Sequence, residues 1–442
     1  MVLIQVLYRT ALRALRVISP MLMRGESKLA RGLRGKRDAH ERLVGWGLGG
    51  RRDGEGEGDG GASATVLVDR PVVWVHASSV GESIQAQAVI DVLRTRVPDL
   101  QVVFTFFSPS AEAAGESLRA DVSSYLPWDL PELMGPVLDA VRPFLIVFTQ
   151  REVWPTLSAE AAARGVPTVL IAGTLPEGAG RLSRLGKILL GPAFGSLRAV
   201  AAVSREDGDR FRLLGVSSDR VTVTGDPGID AALVRVAAID HGASHMRIFA
   251  ARPGPILVAG STWPSDEKVL IPALVRVREA VPDLRIVLVP HEPEGYDFAA
   301  LQRRLEADGW TPARLGEVEA AAGAPEVEGP SAASVVESGR AIEVDVATGA
   351  LEARAASGVD SVLVDRVGVL ADLYSLASVA YVGGGFHGEG LHSVLEPAAS
   401  GVPVLIGPRY QASVHATGLL AVGAARSVSN TSRLAETLRE LL

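Results

Sequence analysis

The chain contains no cysteine in its 442 residues. That removes at once a disulfide framework, a thiolate metal site and a cysteine nucleophile, and it fits a reducing compartment. It also lacks a run of about 20 apolar residues free of charge, which a bilayer-spanning helix needs. The apolar N-terminus does not end in a small-residue cleavage site, so it does not read as a secretory signal. Low complexity is not a feature of the whole: with 47% hydrophobic residues, 47 Gly and 26 Pro, the chain can build two domains, each with its own core.

What is present is uneven in charge. Residues 1–52 hold 12 Lys/Arg against Glu26, Asp38 and Glu41, a net +9, and the remainder carries −16 to give the overall −7. A basic end of this kind seeks an anionic surface. From Met1 to Met23, Leu, Ile and Val are interrupted by Arg9, Arg13 and Arg16. Spacings of four and three put these arginines in one helical stripe opposite Ile4, Leu7, Ala11, Leu15 and Ile18. Residues 1–24 are therefore expected to form a membrane-associated amphipathic helix lying in the interface. Lys28, Arg31, Arg34, Lys36, Arg37 and Arg42 follow, each adding about 1 kcal/mol of attraction to anionic lipid. Packing of the helix on the protein and RNA binding are the competing readings. Leu, Met and Tyr between the basic residues favour membrane over nucleic acid. Residues 25–64 read as a basic segment and flexible linker, because Asp53–Ala64 is mostly Gly, Asp and Glu with nothing to bury.

Beyond the linker, short β-rich runs alternate with helical stretches. In residues 65–240 these runs are Val72–His76, Gln101–Phe106, Phe144–Thr149, Thr168–Ala172, Val200–Val203 and Val221–Val223. In residues 256–442 they are Ile256–Ala259, Ile286–Val289, Val362–Val364, Val379–Val382 and Val404–Ile406. The alternation predicts an α/β protein of two doubly wound, Rossmann-like domains with parallel sheets. Residues 313–358, rich in Ala, Glu, Gly and Ser, read as an irregular insertion.

Ligands bind such sheets at the carboxyl ends of the strands, so the polar turns there are the candidate sites. Val72-Val-Trp-Val-His breaks at Ala-Ser-Ser-Val-Gly and places Glu82 at a strand-to-helix turn. There Glu82 is either placed for chemistry or merely answers the helix dipole. Thr149-Gln-Arg-Glu-Val-Trp-Pro sets Arg151 beside Glu152, which on its own also describes a surface ion pair. Ala259-Gly-Ser-Thr offers the Ser261 and Thr262 hydroxyls and free amides to a phosphate, or simply caps a helix with Asp266 and Glu267 in its first turn. His291 and Glu292 end the next strand and suit a ribose or base, or equally a solvated loop. Tyr381-Val-Gly-Gly-Gly-Phe-His-Gly-Glu-Gly is the richest turn, whose glycines Gly383, Gly384 and Gly385 would let backbone approach an anion, with Glu396 beyond for ribose hydroxyls. Gly383, Gly385 and Gly388 satisfy G-x-G-x-x-G, but no ribose-binding acid lies about 20 residues further on, so a dinucleotide site is discounted. The spacing of His387, Glu389 and His392 matches no common metal pattern.

Ser79-Val-Gly-Glu, Glu152-Val-Trp-Pro, Arg181-Leu-Ser, Ala259-Gly-Ser-Thr and Gly390-Leu-His-Ser-Val-Leu-Glu-Pro follow one another in a fixed order. The series resembles that of the 3-deoxy-D-manno-octulosonic acid (Kdo) transferases, inverting GT-B glycosyltransferases of lipopolysaccharide synthesis. It covers roughly residues 65–310 and 360–410. The resemblance implies transfer of Kdo from CMP-Kdo to a lipid A precursor at the cytoplasmic face of the bacterial inner membrane. It implies Glu82 as general base and Glu152 as a second essential acid. It also implies donor contacts at Ser261, Thr262, His291, Gly383, Gly384, Gly385, Ser393 and Glu396. Ser79, Gly81, Arg151 and Arg181 are left for acceptor or phosphate contacts. No cofactor, no metal and no nucleic acid is expected; the partners are CMP-Kdo, the lipid A precursor and anionic lipid.

Some positions depart from the family pattern. Gly228 stands where a Lys is usual, Pro290-His291-Glu292 replaces Pro-Arg-His, Trp263 replaces a His, and Ser393 replaces an Asn. Arg151 or Arg181 would then supply the charge of the missing Lys. Two alternatives of other classes are another GT-B enzyme, such as a heptosyltransferase or a sugar-nucleotide epimerase, and a non-catalytic membrane-bound descendant.

Overall fold

A computed structural model describes residues 2–23, 27–49, 70–112, 115, 118–246, 254–323 and 358–442. The expected linker and most of the expected insertion lie outside these. The chain divides into two compact units, Met1–Ala231 and Ala232–Leu442.

The first unit holds seven strands: β1 (Val72–His76), β2 (Gln101–Phe106), β3 (Val122–Tyr125), β4 (Leu145–Thr149), β5 (Thr168–Gly173), β6 (Ala199–Ala202) and β7 (Val221–Val223). They form one sheet in the order β3-β2-β1-β4-β5-β6-β7, with every pair parallel. All five residues of β1 are buried. Alternate residues serve opposite faces: Val72 and Trp74 join one apolar cluster, Val73 and Val75 the other. A strand covered on both faces has no polar side to show, which is why it reads as a continuous apolar run.

The second unit repeats the plan with β8 (Ile256–Thr262), β9 (Arg285–Pro290), β10 (Pro312–Arg314), β11 (Ser361–Leu363), β12 (Val379–Val382), β13 (Val404–Ile406) and β14 (Ala425–Ser427). Their order is β10-β11-β9-β8-β12-β13-β14, again all parallel. Both units are doubly wound. In each the first strand lies between two neighbours reached in opposite directions, β2 and β4 around β1, β9 and β12 around β8. Those two reversals are where a sheet of this kind opens a crevice at its carboxyl end.

The N-terminal region departs from expectation. Helix α1 (Val2–Leu22) forms as the periodicity predicts, but α2 (Lys28–Gly49) occupies much of what the sequence presented as a basic segment and flexible linker. Ala30, Ala39 and Leu43 of α2 are buried, and Leu43 joins the core of the first sheet. Gly35 and Gly47 allow this approach: a β-carbon at Gly35 would collide with the Tyr125 ring, and one at Gly47 with the Ala140 carbonyl. Lys36 does not stand on an outer face of the helix either. It is buried, donates to Leu126 O at 3.1 Å, and lies over the rings of Phe107, Trp128 and Trp154.

Helix α1 docks on the same unit through the side that carries its arginines. Tyr8 Oη donates to Asp129 Oδ2 at 2.9 Å, Arg13 pairs with both oxygens of Glu132 at 2.8 and 2.9 Å, and Leu12 packs against Trp128, Leu130 and Leu133. Leu7, Val17, Ile18 and Met21 remain exposed on the outer side. No described helix is long and apolar enough to cross a membrane. The expected irregular insertion also begins later than its composition suggested, since 312–314 is strand β10 and 315–323 is a helix.

Candidate active site

The turn after β1 is built around Glu82. Ser79 caps helix α3 (Val80–Arg96), its Oγ accepting from Glu82 N, while Glu82 Oε2 accepts from Ser78 N at 2.7 Å. This reciprocal pair satisfies free amides of the helix start and fixes the carboxylate. Glu82 is only 7% exposed, and burial pushes its carboxyl up to about 7. The Ser78 amide opposes that rise, the nearby Glu152 carboxylate adds to it, and Arg151 and Arg181 pull it down. A carboxyl poised near neutrality, with its proton equilibrium balanced, suits a general base. Next to it Gly81 is exposed, with open space where a β-carbon would stand.

The turn after β4 brings the second acid. Gln150 is held at a left-handed φ of 59°, a strained geometry for a residue with a side chain. Arg181 Nη2 donates to Glu152 Oε1 at 2.7 Å, both groups being half-buried. Trp154 Nε1 donates to His76 Nε2 at 2.9 Å. An indole N–H can only donate, so His76 Nε2 is the bare nitrogen and Nδ1–H donates to Thr105 Oγ1 at 3.0 Å. Complete burial, together with the Lys36 charge, holds His76 down at about 3, hence neutral. The last residue of β1 and the segment after Glu152 are thereby locked to each other.

Three polar residues of this site escaped the sequence reading. Gln150 Nε2 donates to Gln85 Oε1 at 2.9 Å, and Gln85 Nε2 donates to Asp226 at 2.8 and 3.0 Å. Asp226 in turn accepts from the amide of Gly228 at 2.7 Å. The turn that carries Gly228 in place of the family's Lys is thus tied to α3 and to the strained Gln150.

In the second unit the reversal around β8 is organised by Asp266, at the start of the helix α4 (Pro264–Arg278). Asp266 is fully buried and accepts from Trp263 N at 3.0 Å, Tyr381 Oη at 2.9 Å, Gly384 N at 2.9 Å and Phe386 N at 3.3 Å. It binds the glycine turn to the start of that helix, a larger role than the first-turn charge its position suggested. Gly383, Gly384 and Gly385 are buried, and the atoms they admit belong to the chain: Ser261 O, Gly390 O and the backbone of Gly407. Their missing side chains serve packing between loops, where the sequence suggested approach to an anion. Thr262 is likewise buried, its hydroxyl donating to Glu267 Oε1 at 3.3 Å, whereas Ser261 is partly exposed with a left-handed φ of 53°.

Around that turn stands a group of stacked rings. The Trp263 indole lies 3.9 Å from the His387 ring and parallel to it within 2°, and His291 lies 4.1 Å from His392. Trp263 Nε1 donates to His392 Nε2 at 3.1 Å. Burial, then the neighbouring His291, hold His392 down at about 4. Ser393 Oγ donates to Glu396 Oε2 at 2.6 Å. The structure therefore gathers His291 with Trp263, the position noted as a departure, and joins Ser393 to Glu396. Among the described residues no cluster of three or more His, Asp or Glu could hold a metal ion.

Comparison with known proteins places the chain in a family. The family model described as 3-Deoxy-D-manno-octulosonic-acid transferase (kdotransferase) matches residues 54–231. A 3-deoxy-D-manno-octulosonic acid transferase of Bordetella pertussis is 31% identical over 365 residues, 79% of this chain and 74% of that protein. One from Chlamydophila psittaci is 28% identical over 372 residues, 82% of this chain and 75% of that protein. Among solved structures, the UDP-GlcNAc 2-epimerase of Methanocaldococcus jannaschii matches with a TM-score of 0.52 at 13% identity, covering 83% of this chain and 91% of that one, a likeness of fold alone. With the acids of the first sheet and the glycine turn of the second both at strand reversals, and with this similarity along most of its length, the chain belongs to the 3-deoxy-D-manno-octulosonic acid transferase family of glycosyltransferases.

Proposed function

We propose that the chain transfers Kdo from CMP-Kdo to a lipid A precursor, with inversion at the anomeric carbon and Glu82 as the base. The observation that carries this reading is Glu82 itself, a buried carboxylate at the reversal of the first sheet with its pKa raised to about 7. In the reaction the acceptor hydroxyl oxygen bonds to the anomeric carbon as the bond to the CMP phosphate breaks. CMP departs with the electron pair, and the hydroxyl proton passes to Glu82. Positive charge accumulates on the sugar and negative charge on the leaving phosphate, so the site needs a base at one end and amides or cations at the other. The reading calls for no metal.

Glu152, held by Arg181, keeps a second negative charge near the base, and Arg151 and Arg181 are the cations available to acceptor or phosphate oxygens. Donor contacts fall to Ser261, His291, Ser393 and Glu396, with the Trp263 indole beside them. Helix α1 supports a location on the cytoplasmic face of the inner membrane: Tyr8 and Arg13 hold it to the protein and its outer side is apolar. Such a helix lies in an interface without spanning it. The test is incubation with CMP-Kdo and a tetraacylated lipid A precursor, followed by mass spectrometry. A product heavier by Kdo residues, absent when UDP- or ADP-sugars replace the donor, is the expected result; an unchanged acceptor with the folded enzyme would reject it.

A further inference from the structure

Helices α1 and α2 enclose a crevice of about 260 Å³, walled in part by Trp128 and Leu133. Its charge is one-sided. Among the described residues that line it, Arg16 of α1 and Lys36, Arg37 and His40 of α2 face one carboxylate, Glu41, while from outside the lining Asp129 acts on Lys36 and Glu132 interacts with Arg16. Two of these groups are under-used by the protein. Lys36 Nζ has three donors and, among the described residues, hydrogen-bonds only Leu126 O, at 3.1 Å. Among the described residues His40 Nδ1, which is buried, has no hydrogen-bond partner. Arg37 reaches Asp38 beside it, at the exposed surface, through Nε. Cationic groups in a recess with aromatic and aliphatic walls are costly unless acceptors are supplied, and a phosphate supplies several at once.

The depth of the crevice says where that phosphate comes from. Leu7, Val17, Ile18 and Met21 point away from the protein on α1. The apolar face of an interfacial helix sinks roughly 5–10 Å into the boundary between headgroups and acyl chains. A helix is about 10 Å across. The inner side of α1, where Arg16 and Ser19 line the crevice, then lies level with the lipid phosphates. We propose that this crevice is a binding site for the phosphate of an anionic bilayer phospholipid, with Arg16, Lys36, Arg37 and His40 as its donors. The inference rests on the interfacial attachment proposed above. It gives that attachment a defined lipid site where the basic residues alone would give only a diffuse attraction.

The test uses the full chain, titrated calorimetrically with short-chain phosphatidylglycerol below its micelle concentration, so that no membrane surface potential enters the comparison. Saturable binding of one lipid per chain is expected. It should weaken at least about tenfold in the Arg16→Ala/Arg37→Ala variant, the loss anticipated for charged hydrogen bonds. It should change less than about twofold in Arg31→Ala/Arg42→Ala, which removes the same charge from exposed positions of α2 outside the crevice. Arg16 and Arg37 are exposed enough for their removal to leave folding intact, which the melting temperature verifies. Equal losses in the two double variants, or no saturable binding, would overturn the site. Inorganic phosphate binding as tightly as the lipid would assign the crevice to a free anion and overturn the lipid. Sedimentation with phosphatidylglycerol vesicles separates this failure from that of the attachment. A parent chain that binds vesicles but not the monomeric lipid rejects the crevice alone, and one that binds neither rejects both.

Discussion

Arg181 Nη2 donates to Glu152 Oε1 across 2.7 Å, and the two groups act on Glu82 in opposite senses. Burial is what chiefly raises Glu82; the Glu152 carboxylate raises it further, and Arg151 and Arg181 lower it. Replacing Arg181 with Ala removes one lowering charge and leaves Glu152 without its counter-ion. The Glu82 pKa must then rise. The acid limb of the rate profile, set by protonation of the base, is expected to move to higher pH by about half a unit or more. A pH–rate profile of kcat/KM checks this. A limb that stays in place would mean that the titrating group is not Glu82.

The N-terminal helices should separate into two roles. Residues 1–26 contribute the Tyr8 and Arg13 contacts and the outward apolar face, whereas α2 contributes Leu43 to the core. Deleting 1–26 is expected to leave a folded chain that no longer sediments with vesicles. Deleting 1–49 also exposes the apolar surface that Ala30, Ala39 and Leu43 cover, and should give insoluble or non-cooperatively melting protein. Thermal melts and vesicle sedimentation of the two truncations distinguish these outcomes.

Asp266 is expected to matter more for the structure of the donor turn than any residue of the glycine run. Asp266→Ala strands Tyr381 Oη and the amides of Trp263 and Gly384, and should cost about 2–4 kcal/mol with loss of CMP binding. Denaturant unfolding together with CMP calorimetry measures both. A variant as stable as the parent would remove Asp266 from its organising role.

The long-range contacts explain what the sequence could and could not disclose. The strands β1, β2, β4, β8 and β12 were legible because burial on both faces makes them apolar throughout. The short strands β3, β10 and β14 were not, since Val-Ser-Ser-Tyr, Pro-Ala-Arg and Ala-Arg-Ser carry too few apolar residues to stand out. Helix α2 hid behind its own charge: its buried stripe is made of Ala, Gly and Leu, with Lys36 in the middle. Glu82, Glu152 and Arg181 were readable as motif residues. The hydrogen-bonded chain of Gln150, Gln85 and Asp226 in the same unit was not, because its members lie 65 and 141 residues apart. Likewise, nothing local marks Gly383 and Gly385 as contacts for the chain's own backbone.

Glu82 also carries a stability signature. Its folded pKa, about 7, lies above the ordinary value of 4.5, so the folded state holds the proton more tightly than the unfolded one. Its favourable contribution is complete below about pH 4.5 and is lost as pH rises through 7, by at most about 3 kcal/mol. The Gln variant cannot ionise. Relative to the parent, Glu82→Gln should therefore be more stable at pH 8 than at pH 5, as denaturant unfolding at the two pH values would reveal. No change in that difference would mean that Glu82 is not buried in its carboxylate form.

The most direct test of the mechanism is single-turnover transfer of Kdo by Glu82→Gln, with the melting temperature as a control for folding. The substitution keeps the size of the side chain and its acceptor toward Ser78 N, but it cannot take the acceptor proton. If Glu82 is the base, the rate should fall by roughly 10²–10⁴ while CMP-Kdo affinity stays near that of the parent. A rate within about threefold of the parent would contradict the account and leave Glu82 as a helix-capping residue.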